Sequence, residues 1–317
     1  MPPTCGRLLE VRGSRRQVGA RLLLAVVLSA VLVSPAAGAS MSSRPRSPYA
    51  GLGTWLDIYA KATWTDPKRE VAAMAQDGAR TLYVQTGNYE QRVDVVRPRA
   101  LGLFLDAAHA AGLRLVAWYL PSFAKPAQDR RRALTAIRFR SATGQRFDGF
   151  ALDIEAGFVR PVSLRNARLL RLSAALRAAV GPRYALGAII PSPVGIRRHP
   201  AYWPRFPYRP LARFYNVFLP MAYFTDAGVH GSKATRAYLA ADVAAIRTHT
   251  GNSRVPIHLI GGLAGSMGAK ETAGFMRAVA DCAPLGYSLY EFPITSRATW
   301  GALSAPPAAG VSHPPCT

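Results

Sequence analysis

Acidic residues are scarce in this chain. Seventeen Asp and Glu stand against 40 Lys and Arg over 317 residues, a formal charge of +23. Such a balance favours contact with anionic surfaces and disfavours basic partners. Cysteine is nearly absent: Cys5, Cys282 and Cys316 are too few for a disulfide scaffold and too scattered for a zinc cluster. The six His show no H-E-x-x-H or related spacing, so no metal is expected, and no cofactor motif is present. Asp57-Ile58-Tyr59-Ala60-Lys61 follows the first strand where a nucleotide-binding fold would carry a glycine-rich phosphate turn. No nucleic-acid motif of the usual types occurs, and nucleic acid is not an expected partner. Long apolar runs are missing as well. The longest, residues 22–33, is too short to span a bilayer comfortably, so no stable membrane insertion is expected.

That short run has a different reading. Arg7, Arg12, Arg15, Arg16 and Arg21 surround its start, and Ala37-Gly38-Ala39 ends it with small residues. This is the pattern of a secretory signal peptide over residues 1–39, and it places the mature protein outside the cytoplasm, secreted or at the cell surface. Removing five Arg and Glu10 leaves a charge of roughly +19. For an exported protein, anionic cell-surface polymers are the partners that such a charge suits. Cys282 and Cys316 then form the one possible disulfide in an oxidising compartment.

Residues 40–50 read as a flexible leader and 303–317 as a Pro-rich tail. Between them, over 51–302, strand and helix patterns alternate. Strand-like runs begin near 53, 81, 113, 147, 184, 216, 256 and 286. Helical periodicities lie between them; Asp66-Pro67, for instance, offers an N-cap followed by proline at the first helical position. Eight βα units at a spacing of about 30–40 residues predict an α/β fold, a single (β/α)8 TIM barrel. Function in such a barrel sits where the strands end. Collecting those ends gives Asp57, Gln85, Trp118, Tyr119, Asp153, Glu155, Ser192, Met221, Tyr223 and Glu291, an acidic and aromatic mouth on a basic protein. Aromatic faces suit sugar C–H surfaces and acids bind hydroxyls, so a polysaccharide or cell-wall glycan is the expected partner. Trp64 and Tyr89 are further candidates for sugar stacking.

The stretch at 147–155, Phe-Asp-Gly-Phe-Ala-Leu-Asp-Ile-Glu, organises this mouth. On a strand, Ala151, Asp153 and Glu155 share one face while Leu152 and Ile154 share the other. Two acids so placed need partners, water or a substrate. They also perturb each other, which is one route to a general acid at neutral pH, with Glu155 outermost and Asp153 beneath it raising its pKa. The structural alternative is a pair of strand-end acids in ordinary hydrogen bonds.

Asp148-Gly149-Phe150-Ala151-Leu152-Asp153-Ile154-Glu155 resembles the fourth-strand signature D-G-x-D-x-D-x-E of family 18 glycoside hydrolases. Met221-Ala222-Tyr223 resembles that family's M-x-Y-D. The resemblance implies hydrolysis of β-linked polymers containing N-acetylhexosamine. It implies Glu155 as general acid, Asp153 orienting the substrate acetamide, whose oxygen is the nucleophile, and Tyr223 assisting it. Two positions depart from the pattern: Ala151 replaces the middle aspartate and Phe224 the last. Asp153-Ile154-Glu155 is also similar to the D-x-E of family 25 muramidases, and Asp57 to their first-strand aspartate. Without substrate assistance, Glu291 or Asp57 would supply a second carboxylate. A glycan-binding barrel that has lost catalysis is the alternative to an enzyme, favoured by Ala151.

Overall fold

The computed structural model describes residues 47–305 and 316. Eight strands run β1 (Gly51–Leu56), β2 (Thr81–Asn88), β3 (Arg114–Leu120), β4 (Gly149–Asp153), β5 (Leu186–Pro191), β6 (Val217–Met221), β7 (His258–Leu263) and β8 (Gly286–Tyr290). All pair in parallel in sequence order, and β8 returns to β1 through Gly51 opposite Gly286. The result is the closed barrel that the spacing predicts. Helices α1 (Pro67–Gln76), α2 (Pro98–Ala110), α3 (Pro126–Arg138) and α4 (Val162–Val180) follow the first four strands. Short α5 (Pro193–Arg198) and α6 (Tyr208–Leu211) follow β5; α7 (Ser232–Thr250), α8 (Ala269–Cys282) and α9 (Arg297–Ser304) follow the last three strands. No helix among the described residues is long and apolar enough to cross a membrane.

Local chemistry sets the boundaries. Asp66 caps α1 by accepting from the Arg69 N–H at 3.2 Å, with Pro67 opening the helix and Gly78, at φ +88°, turning the chain after it. Parallel strands covered by helices are buried on both faces and read as apolar runs. Here the two faces supply two separate cores. Leu152, Ile154, Leu115 and Ala117 pack outward with the helices. Trp55, Tyr83, Val116, Trp118, Ala151, Ile189, Leu219 and Ile260 fill the barrel interior.

The lower part of that interior is a closed polar network. The Trp55 indole N–H donates to Ser288 Oγ at 2.8 Å, and Ser288 Oγ lies 2.9 Å from His258 Nε2. His258 Nδ1 lies 2.9 Å from the Tyr49 carbonyl oxygen and 3.1 Å from the Tyr83 hydroxyl. Burial lowers the His258 pKa to about 4, so the ring is neutral at physiological pH. Tyr49 itself is fully buried; its hydroxyl donates to the carbonyl oxygens of Phe150 at 2.8 Å and Ala185 at 3.2 Å. The leader expected over 40–50 therefore ends sooner, because this ring plugs the bottom of the barrel. At the other end of the chain, α9 carries order to Ser304, and the buried Leu303 belongs to the core rather than to a tail. The expected signal peptide and most of the Pro-rich tail lie outside the described residues.

Cys282, closing α8, is disulfide-bonded to Cys316 across 34 residues. Arg247 donates to the carbonyl oxygens of both cysteines. The loop-entropy argument assigns such a crosslink about 4 kcal/mol. Cys282→Ser is expected to lower unfolding free energy by about 2–4 kcal/mol in urea titrations under oxidising conditions, and a reductant should give wild type the same loss.

Candidate active site

The β4 pair occupies the place expected of it. Asp153 is the last residue of β4 and is only 5 % exposed, while Glu155 lies two residues on, half-buried at the mouth. Asp153 Oδ1 has no hydrogen-bond partner. Burial raises the pKa of both groups, and Glu155 raises that of Asp153 further. The direction of influence differs from the sequence expectation: burial lifts Glu155, and the charge interaction falls on the deeper Asp153. Two such close carboxyls titrate as a unit, and the pair keeps a proton at pH values where isolated carboxyls have lost theirs.

Glu155 and Tyr223 line a cavity of about 600 Å³ with Met221 from β6, Tyr202 and Asp226. The cavity opens on the β5–β6 side, where Ser192 forms part of its wall. Ser192 Oγ donates to Asp242 on α7, 2.8 Å from Oδ1, and accepts from the Gly195 N–H at 2.9 Å, so it fixes the start of α5 as an N-cap. Burial raises the Asp242 pKa to about 7.

Tyr223 joins the two acidic halves of the mouth. Burial raises its pKa well above the ordinary tyrosine value; Asp153, Glu155, Asp226 and Glu291 then raise it further, in that order. Its hydroxyl is accordingly protonated and available as a donor at any physiological pH. The Tyr223 ring lies 6.0 Å from that of Tyr290. The Tyr290 hydroxyl donates to Asp57 Oδ2 at 2.9 Å, and the Asp57 N–H donates to Glu291 Oε2 at 3.3 Å. Asp57 Oδ1 accepts from the Tyr59 and Ala60 N–H groups at 2.7 and 2.9 Å. Burial raises the Glu291 pKa to about 7, with Asp57 adding to it and the Asp57 N–H opposing.

The structure moves four other expected residues out of the mouth. Tyr119 faces the helices, not the barrel interior: it is fully buried, and its hydroxyl donates to Asp129 Oδ1 on α3 at 2.9 Å. Neighbours along a strand point to opposite faces, so Trp118 and Tyr119 cannot both look inward. Gln85 is 2 % exposed, and its Oε1 accepts from the Ile58 N–H at 3.1 Å, a tie for the β1 loop rather than a sugar contact. Trp64 is buried edge-on against Phe104 at 5.2 Å, with its indole N–H on the Asp57 carbonyl oxygen. Trp118 is on the inner face but forms the buried floor. Tyr89 does reach the rim, edge-on to the exposed Phe158 at 4.8 Å.

Tyr202 and Asp226 carry no motif and come from irregular segments, and the sequence reading missed both. The Tyr202 hydroxyl donates to the Glu155 carbonyl oxygen, and the Tyr202 carbonyl accepts from Arg165 Nη2 at 2.8 Å. Glu155 is thereby held by a residue 47 positions away. Among the described residues no group of three or more His, Cys, Asp or Glu is placed to hold a metal ion.

No family model matches the sequence, and no curated protein matches it. Solved structures do resemble the fold. An endo-β-1,4-mannanase from Thermotoga petrophila has a TM-score of 0.60 at 12 % identity, with 77 % of this chain and 68 % of that one covered. The spore cortex-lytic enzyme SleL of Bacillus cereus gives 0.56 at 8 %, covering 82 % and 74 %. A chitinase from Bacteroides thetaiotaomicron gives 0.55 at 11 %, covering 82 % and 97 %. The likeness is one of fold. It establishes the (β/α)8 barrel and leaves the chemistry to the site.

Proposed function

We propose that this protein is an exported glycoside hydrolase that cleaves a polysaccharide containing N-acetylhexosamine, with Glu155 as general acid. One observation carries the reading: Glu155, whose pKa burial raises, lines a sugar-sized cavity together with Tyr223 just beyond the C-terminal end of β4, and the buried Asp153 that closes that strand is its acidic neighbour. The barrel is shared with a chitinase and a cortex-lytic enzyme, which is consistent with that substrate class. Glu155 gives its proton to the glycosidic oxygen as the C1–O bond breaks. The acetamide oxygen of the same sugar closes on C1, Asp153 accepts the acetamide N–H, and the Tyr223 hydroxyl donates to the acetamide oxygen. Water then opens the ring at C1 and returns a proton to Glu155.

Glu291 is the poorer nucleophile. A carboxyl with a pKa of about 7 is half protonated at neutral pH, which favours participation of the substrate's own acetamide over a two-carboxylate scheme. The net positive charge suits anionic wall polymers, and the signal-peptide pattern over residues 1–39 suits export. Ala151 favours a second reading, a barrel that binds glycan without cutting it.

Purified mature protein assayed on chitin, peptidoglycan and other polysaccharides, beside Glu155→Gln, separates the two. Wild-type cleavage that Glu155→Gln loses is the expected result. Glycan binding that survives the substitution, with no wild-type cleavage of any substrate, would favour the binder. The scheme runs on carboxyls and a hydroxyl, so EDTA should leave turnover unchanged; loss of hydrolysis that added metal restores would count against it.

A further inference from the structure

The cavity beside Glu155 has a cationic wall as well as an acidic one. Arg198, the last residue of α5, and His199 after it line the space that Glu155 and Tyr223 also line. Tyr202 ties the two walls together: its N–H donates to the His199 carbonyl oxygen at 3.0 Å, and its hydroxyl donates to the Glu155 carbonyl oxygen. The length of one tyrosine thus separates the basic pair from the segment that follows β4. The Arg198 guanidinium is held from two sides. Nη1 donates to the Ala227 carbonyl oxygen at 3.0 Å, and the group stands over the Tyr238 ring, 5.3 Å from its centre. Ala227 and Tyr238 line the same cavity. Among the described residues no carboxylate lies within ion-pair distance of Arg198, and no second protein acceptor takes its other N–H donors. Two acids are near enough to matter. Asp242 is fully buried, and its oxygens already accept from Ser192 Oγ and the Val194 N–H. Asp226 shares the cavity wall, and its Oδ1 accepts from Thr225 Oγ1 at 3.4 Å.

We infer that Arg198 is a specificity residue that receives a carboxylate carried by the glycan, so that the substrate is an acidic N-acetylhexosamine polymer rather than a neutral one such as chitin. A guanidinium offers parallel N–H donors in a planar fork that matches a carboxylate. Here the fork is oriented before any ligand arrives, by Ala227 on one side and the Tyr238 ring on the other, and most of its donors are left for the cavity. A neutral sugar hydroxyl would leave that charge uncompensated. The surplus of Lys and Arg draws any polyanion to the surface; a contact through Arg198 depends on one side chain, and mutation separates the two. The acid can be a substituent of the sugar ring or part of a peptide attached to it, with the same chemistry at Arg198. The inference deepens the hydrolase reading and rests on it for the effect on turnover, while the contact itself is a matter of binding.

The test is calorimetric binding to Glu155→Gln, which consumes no substrate. The probes are soluble peptidoglycan strands freed of peptide, whose sugars carry free carboxylates; the same strands with those carboxylates converted to methylamides; chitin oligomers of equal length; and peptide-bearing strands. The peptide-free acid should bind about 10-fold tighter than its methylamide and than the chitin oligomer, the lower end for hydrogen bonds to a charged group. Adding Arg198→Gln should bring that ratio down to about one, since the contact supplies it. Gln keeps an N–H for the Ala227 carbonyl and removes the charge, and Arg198 is exposed, so the core is untouched. Asp226→Asn, which removes the competing acid from the wall, should raise the ratio. Peptide-bearing strands locate the acid: an Arg198-dependent preference for them alone assigns the carboxylate to the peptide, and one for the peptide-free acid assigns it to the sugar. Equal affinity for every acidic probe and its methylamide overturns the inference. So does a preference that Arg198→Gln leaves intact, the mark of general surface charge, and so does a protein that binds none of the probes. A wild type that cleaves no glycan refutes the hydrolase reading instead, and the binding ratio still decides the contact.

Discussion

Glu155→Gln is expected to lower kcat by roughly 10²- to 10⁴-fold with KM little changed, the usual worth of a positioned general acid. Gln is isosteric with Glu and keeps the cavity wall, so a fall in kcat alone reads as the missing proton. The pH profile is the sharper check. Hydrolysis needs Glu155 protonated, so activity falls as pH rises through the pKa that burial has raised. The alkaline limb should therefore lie above the ordinary carboxylate range. Activity also falls on the acidic side, where the pair takes up its second proton and Asp153 no longer carries the charge that the acetamide N–H meets; burial and the neighbouring Glu155 bring that limb up as well. A bell displaced upward as a whole, reporting the pair rather than either residue, is the expected shape. An alkaline limb near pH 4.5 would mean that Glu155 is exposed in the working enzyme and is not the acid.

The site was legible where chemistry followed the strand period and illegible where it came from loops. Asp153 and Glu155 share a face because side chains alternate, and the same rule places Ala151 inside and Leu152 and Ile154 outside. Taking both Trp118 and Tyr119 from one strand end ignored that rule, and Tyr119 proved to belong to the helix layer. The eight strands were readable because helices cover them and their apolar runs are continuous. Ser192-Pro193 carries the cap and the first-turn proline that open α5, a helix start written in the sequence that the reading took only as the end of a strand. Tyr202 had no local signal at all. Its importance is a contact with Glu155 that only the folded chain creates.

The largest stability effect is expected at Gly286, not in the mouth. A Cβ built there would stand 2.2 Å from the Tyr49 carbonyl oxygen, 2.4 Å from His258 Nδ1 and 2.8 Å from the Gly51 carbonyl oxygen. None of these atoms can recoil freely. Tyr49 is held by its hydroxyl against Phe150 and Ala185, His258 by Ser288, and Gly51 by its pairing across the seam that closes the barrel. Gly286→Ala must therefore strain the backbone or break the His258–Tyr49 contact. Overpacking of this kind costs about 1–3 kcal/mol. A buried imidazole N–H left without its acceptor costs about 1–3 kcal/mol more. In a domain of this size the total corresponds to a fall in Tm of about 5–20 °C. Gly301 on the exposed side of α9 is the internal control, since a Cβ there meets nothing within 4 Å. Gly301→Ala should instead raise stability by about 0.5–1 kcal/mol through helix propensity. Calorimetry on the two variants decides the matter. Equal and small shifts would show that the lower barrel is loosely packed and that the His258 network is not its keystone.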